Sequence, residues 1–326
     1  MPQPLLGIIF SKNTMVSVKN ATHRVPIPAA GLMLGLAALG NLLSSYGNIF
    51  KALLGAISLF ILVLLLMKIT CDAKAVREDL QNPAIAGIAC TFPMGIIVLS
   101  TYLYPFWPLI AYGICGIGIL IHSILIIYYT KKFIFHFTIK KVFPSTFVVY
   151  VGIAVFSIVA PVFNAPWLGQ IIFWFGFITY LILLPIIFYR ALTIKIPEPL
   201  LPTLTIFAAP ASLCLAGYLN SFQEKNMTIV WLLLFLSLTS LLGVLLTMPR
   251  MMKLKFFPSY SAFTFPFVVS AIAIKAIDGF LVKIHMGVPV FKYLVHAEEL
   301  LAAVFVIYVL ARYIDFLFLQ DVNAKP

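Results

Sequence analysis

Five prolines, Pro26, Pro83, Pro144, Pro199 and Pro258, divide the chain at steps of 57, 61, 55 and 59 residues. Each closes a polar, basic stretch and opens a long apolar one. A repeat of this period marks one supersecondary unit copied in tandem. A hydrocarbon core about 30 Å thick takes about 20 helical residues, so each apolar stretch holds two membrane crossings. The expected unit is a helical hairpin. Five hairpins around one axis enclose a central space, which is the geometry of a pore.

Composition leaves little room for another class. Of 326 residues, 63% are hydrophobic and only 10% charged, and mean hydropathy is +1.09. Soluble domains run near 45–50% apolar and about 25% charged. The surplus apolar surface must face a lipid bilayer, so an all-α integral membrane protein is expected. The net charge of +12 is read as basic cytoplasmic loops, with no nucleic-acid partner. Cys71, Cys90, Cys115 and Cys214 are scattered and show neither disulfide nor metal spacing. Leu5–Phe10 is too short for the apolar part of a cleaved signal, so the first span is expected to direct insertion.

Reading for apolar runs predicts ten spans, at 28–46, 50–68, 84–104, 107–129, 145–163, 167–190, 199–219, 228–248, 259–282 and 293–318. They form one membrane domain over 26–319, flanked by cytoplasmic segments 1–25 and 320–326. Seventeen of the 22 Lys and Arg residues fall on one side of such a layout. Lys12, Lys19, Arg24 and Lys325 belong to that side, while Lys51, Lys225, Lys275, Lys283 and Lys292 lie on the other. The bias places both termini in the cytoplasm of a cell (inner or plasma) membrane.

Prolines recur inside the odd-numbered spans: Pro28, Pro93, Pro210 and Pro266. An in-span proline frees a carbonyl and bends the helix. The bends serve either packing alone or a bent inner ring of odd spans within an outer ring of even ones. Small and polar residues follow the odd spans, and Gly35, Asn41, Thr91, Ser212, Ser261 and Thr264 are the candidates for a pore wall. Gly31 and Gly35 form a G-x-x-x-G pair, and Gly113, Gly116 and Gly118 suggest a close contact of the fourth span. His122 is either a proton relay or a neutral histidine bonded between helices. Lys275 either snorkels to the surface or raises positive potential at a pore mouth. His296, Glu298 and Glu299 are read as interfacial, and Arg312 with Asp315 as a helical ion pair.

Absences narrow the function classes. No phosphate loop, H-E-x-x-H, G-x-S-x-G or acidic metal motif is present in the sequence, nor an Arg-rich voltage-sensing helix or a chain of buried carboxylates. An enzyme, including one acting on lipid or prenyl groups, lacks a catalytic constellation. No catalytic residue, cofactor or metal is expected.

The segment Pro28-Ala-Ala-Gly31-Leu-Met-Leu-Gly35-Leu-Ala-Ala-Leu-Gly40-Asn41, together with Phe257-Pro258-Ser-Tyr-Ser-Ala-Phe-Thr-Phe265-Pro266-Phe, resembles the tellurite-resistance/dicarboxylate transporter family. That family includes bacterial TehA and the plant guard-cell slow anion channel. The resemblance runs through all ten spans, with Asn82-Pro83, Pro93, Glu198-Pro199 and Ala209-Pro210 in register. It implies five hairpins in quasi-fivefold array around a pore, one pore in each protomer of a homotrimer. It also implies a phenylalanine plug in the ninth span, at Phe265 or, less well matched, Phe263. The fifth span departs, carrying Phe147-Val-Val-Tyr150 in place of a mid-helix proline.

The function so implied is a passive channel for small inorganic or carboxylate anions, weakly selective because no fixed charge binds them tightly. The alternative is a secondary carrier of C4-dicarboxylate, tellurite or sulfite, with or without protons.

Overall fold

The computed structural model describes residues 24–319. The expected cytoplasmic ends, with Lys12, Lys19 and Lys325, lie almost wholly outside the described residues. All regular structure among the described residues is helical.

Among the described residues, nine of the helical segments are long and apolar enough to cross a membrane. The fifth segment is the exception. It breaks into Thr146–Tyr150, a 3-10 turn at Gly152–Ala154, and Val155–Val159. No proline stands at the break. Val148, Val149 and Val151 carry β-branched side chains with reduced helix propensity, and Gly152 is weaker still. Gly152 is also a close-approach position, because a Cβ there would come 2.7 Å from Met94 Sδ.

Burial separates the segments by parity. In Ala29–Tyr46, Pro83–Leu103, Glu198–Ser221 and Pro258–Lys283, from 61% to 89% of the most apolar window is buried. In the helices that follow each of them, and in Pro166–Thr193, the figure is only 22–33%. The second group carries large apolar side chains on every face, which lipid solvates. The first carries Gly, Ala, Ser and Thr, which let backbones approach closely. Each odd segment packs on the helix after it, and the odd segments also touch in a closed cycle: first to third, third to fifth, fifth to seventh, seventh to ninth, ninth to first.

Three of the odd segments are interrupted part-way, the seventh and ninth by a change from 3-10 to α-helix. Pro83–Ala89 gives way to Thr91–Leu103, Glu198–Ala208 to Ala209–Ser221, and Pro258–Phe263 to Phe265–Lys283. Pro210 and Pro266 occupy the first turn of the second piece, where a helix has no use for the missing N–H. Pro93 lies two residues inside its piece. Pro28 caps the first helix from outside, so it starts that helix rather than bending it.

The G-x-x-x-G pair joins the first segment to the ninth. A Cβ on Gly31 would lie 3.0 Å from Ser261 Oγ, and one on Gly35 would lie 2.6 Å from Thr264 Cβ. Among the glycines of the fourth segment only Gly118 makes such a contact, against Ile97 and the Pro93 carbonyl; Gly113 and Gly116 face open space.

Candidate functional site

Two cavities lie along the cycle of odd segments. The narrow one, about 40 Å³, draws its wall from all five odd segments, including Gly31, Thr91, Gly152, Pro210 and Ser261. Among the described residues Thr91 and Ser261 are its only polar side chains, and Thr91 Oγ1 already donates to the Ile88 carbonyl at 2.7 Å. The wide one, about 590 Å³, is lined by Asn41, Ser44, Ser45, Lys51, Thr101 and Lys275 among its polar residues. Phe265 borders both. Its ring follows Thr264, where the 3-10 turn ends with φ −99° and ψ −84° before the helix begins.

Phe263 has a different environment. It is fully buried, with ring centroids 4.8 Å from Tyr260 and 6.3 Å from Phe305 of the tenth segment, and it borders neither cavity. The two-residue offset between the phenylalanines lies across a change of helix type, so their directions could not be read from spacing.

Of the candidate wall residues, Asn41, Thr91 and Ser261 border a cavity. Asn41 Nδ2 donates to Thr101 Oγ1 at 3.0 Å. Gly35, Ser212 and Thr264 border neither. Gly35 is filled by Thr264, Thr264 Oγ1 donates to the Gly31 carbonyl at 2.9 Å, and Ser212 bonds Ser237 of the eighth segment at 2.7 Å. Small polar residues on these helices thus serve helix contacts as often as the cavity wall.

Lys275 does not reach open water as a lone charge. Its Nζ donates to the Leu42 carbonyl at 3.1 Å and to Ser45 Oγ at 2.7 Å, and pairs with Glu299 Oε1 at 2.7 Å. Tyr46 donates to Glu299 Oε2 at 2.6 Å, and His296 stands beside it at 3.7 Å. Glu299 and Glu298, read from sequence as interfacial, are 3% and 4% exposed. Glu298 faces Ser270 of the ninth segment, yet neither carboxylate oxygen finds hydrogen-bond geometry. A helix apolar on nearly every side gives no stripe from which to read the buried face, so the burial of these two acids is not legible in the sequence. His296, by contrast, is exposed.

His122 is fully buried, 2.9 Å from the Val149 carbonyl. A carbonyl only accepts, so Nε2 carries the proton, while Nδ1 has no partner. The histidine thus holds a carbonyl at the broken fifth segment. Arg312 makes no ion pair with Asp315 among the described residues; its guanidinium lies 5.7 Å from the Phe256 ring centroid, and the helix loosens to a π turn at Asp315. No group of three or more His, Cys, Asp or Glu among the described residues is placed to hold a metal.

A family model described as voltage-dependent anion channel, SLAC1, matches residues 24–314. The chain belongs to this family. Its members are channels or transporters rather than enzymes, and this one is a multi-pass membrane protein of anion-channel or transporter type. No curated protein matches it. The match covers the described chain up to the end of the tenth α-helix at Ile314, including the broken fifth segment and the Thr264–Phe265 junction.

Proposed function

We propose that this SLAC1-family protein is a passive anion channel whose pore runs through the protomer and is closed by Phe265. The observation carrying this reading is that one aromatic side chain borders both cavities. The residue is only 6% exposed, and its ring is proposed to occlude the passage between them. The pore is proposed to lie within ten spans arranged as five hairpins, the closed cycle of odd segments forming its wall. A nearly apolar constriction excludes ions by dewetting as well as by bulk. Small monovalent anions such as chloride or nitrate are the proposed cargo, passing with weak selectivity. The proposed setting is a homotrimer in the cell membrane with both termini cytoplasmic, supported by the loop charge bias.

The test is bilayer or oocyte recording of Phe265→Ala. Large anion currents with little cation permeability are expected. A silent variant that still assembles overturns the gate.

Buried Glu298 favours a second reading, a proton-coupled carrier of small anions, since an intramembrane carboxylate without a partner is a natural proton site. Anion uptake into sealed vesicles driven by a pH gradient, and lost in Glu298→Gln, would establish it over the channel.

A further inference from the structure

Among the described residues, the wall of the wide cavity carries two cations, Lys51 and Lys275, and no acidic side chain. They are not equivalent. Lys275 is neutralised by Glu299 at 2.7 Å and has two further oxygen partners. Lys51 has no hydrogen bond or ion pair among the described residues; its Nζ sits 4.9 Å from the centroid of the Tyr102 ring. The charge of the cavity wall is therefore the charge of Lys51.

That ring is held in a built seat. Tyr102 reaches from the third segment between the first and second, and its hydroxyl donates to the Ala37 carbonyl at 2.6 Å. Gly40 lies against its hydroxyl and Gly55 against its ring, and a Cβ on either would overlap the tyrosine. Two glycines and one hydrogen bond thus fix an aromatic face beneath the ammonium. A face of this kind attracts a cation without cancelling its charge, unlike the carboxylate beside Lys275. A lysine so held stays available to an anion in a cavity large enough to keep it partly hydrated.

We propose that Lys51, seated on Tyr102, is the anion-binding centre of the wide cavity, taking a small monovalent anion such as nitrate or chloride and concentrating it before the constriction. The role rests on the channel reading, and it assigns the recruiting charge to Lys51 rather than to Lys275. An unpaired wall charge raises local counter-ion concentration, and salt screens the effect.

Two measurements test it. In the Phe265→Ala background, adding Lys51→Met is expected to lower anion conductance several-fold at 10 mM salt, with the two curves converging at 1 M. Lys292→Met, an equal change of net charge at an exposed lysine bordering neither cavity, serves as the control and is expected to leave both curves superimposed. Matching curves for Lys51→Met and its parent overturn the proposal while leaving the channel intact; no current from Phe265→Ala itself overturns the channel reading instead. The second measurement needs no conduction. Nitrate replacing gluconate at constant ionic strength should raise the melting temperature of the purified protein, because a ligand bound only to the folded state stabilises it. Loss of that rise in Lys51→Met, with retention in Lys292→Met, supports the site. A rise kept in Lys51→Met, or absent from the unsubstituted protein, overturns it.

Discussion

Thr264 Oγ1 lies 2.9 Å from the Gly31 carbonyl, which ties the turn before Phe265 to the first segment. The same hydroxyl lies 2.7 Å from the Ser261 carbonyl, so one side chain holds both the neighbouring segment and its own 3-10 turn. Gly35 gives it room, since a Cβ there would come 2.6 Å from Thr264 Cβ and 3.2 Å from the Phe265 nitrogen.

Gly35→Ala should therefore destabilise the protein by about 1–3 kcal/mol through overpacking. Backbone cannot retreat as a flexible side chain can. Melting of the purified protein in detergent measures this, and an unchanged midpoint would show that the first and ninth segments separate at little cost.

His122→Leu removes the donor at the Val149 carbonyl. Leaving that buried acceptor unsatisfied should cost about 1–3 kcal/mol. The pH dependence of anion flux should stay as in the unsubstituted protein, because the histidine's role here is to hold the broken fifth segment. A flux profile flattened by the substitution would restore a proton relay.

Lys275 and Glu299 should be energetically coupled. A double-mutant cycle with Lys275→Met and Glu299→Gln is expected to give about 0.5–3 kcal/mol of coupling. The lower end is expected because the lysine side chain is 35% exposed although the glutamate is only 4% exposed. Additive costs would mean that the pair does not persist in the membrane.

Glu298 is buried without a hydrogen bond to either oxygen. An ionised carboxylate is costly in such a place, so Glu298→Gln should raise the melting temperature in detergent. Under the channel reading, its anion currents in the Phe265→Ala background should match those of the single variant. A lower melting temperature together with lost flux would mark the carboxylate as working machinery of a carrier.

Much of this architecture was legible in the chain. The repeat of Pro26, Pro83, Pro144, Pro199 and Pro258 sets where apolar segments begin, and Pro93, Pro210 and Pro266 mark where helices are interrupted. Both signals are local, because a proline constrains its own φ and the preceding turn whatever surrounds it. The break in the fifth segment was harder to foresee. Valines and Gly152 weaken a helix only slightly, and the contacts of Gly152 with Met94 and of His122 with Val149 come from other segments.

The sequence alone determined a polytopic helical membrane protein, the order of its apolar segments, and a short list of residues around the ninth. Those follow from hydrophobicity and backbone chemistry, which act along the chain. Tertiary structure decided which of two nearby phenylalanines borders the cavities, which of two lysines is paired with a carboxylate, and that Glu298 and Glu299 are buried. In a helix apolar on every side, direction is set only by what packs against it. Phe265, Lys51 and Glu298 acquire their meaning from neighbours dozens to hundreds of residues away.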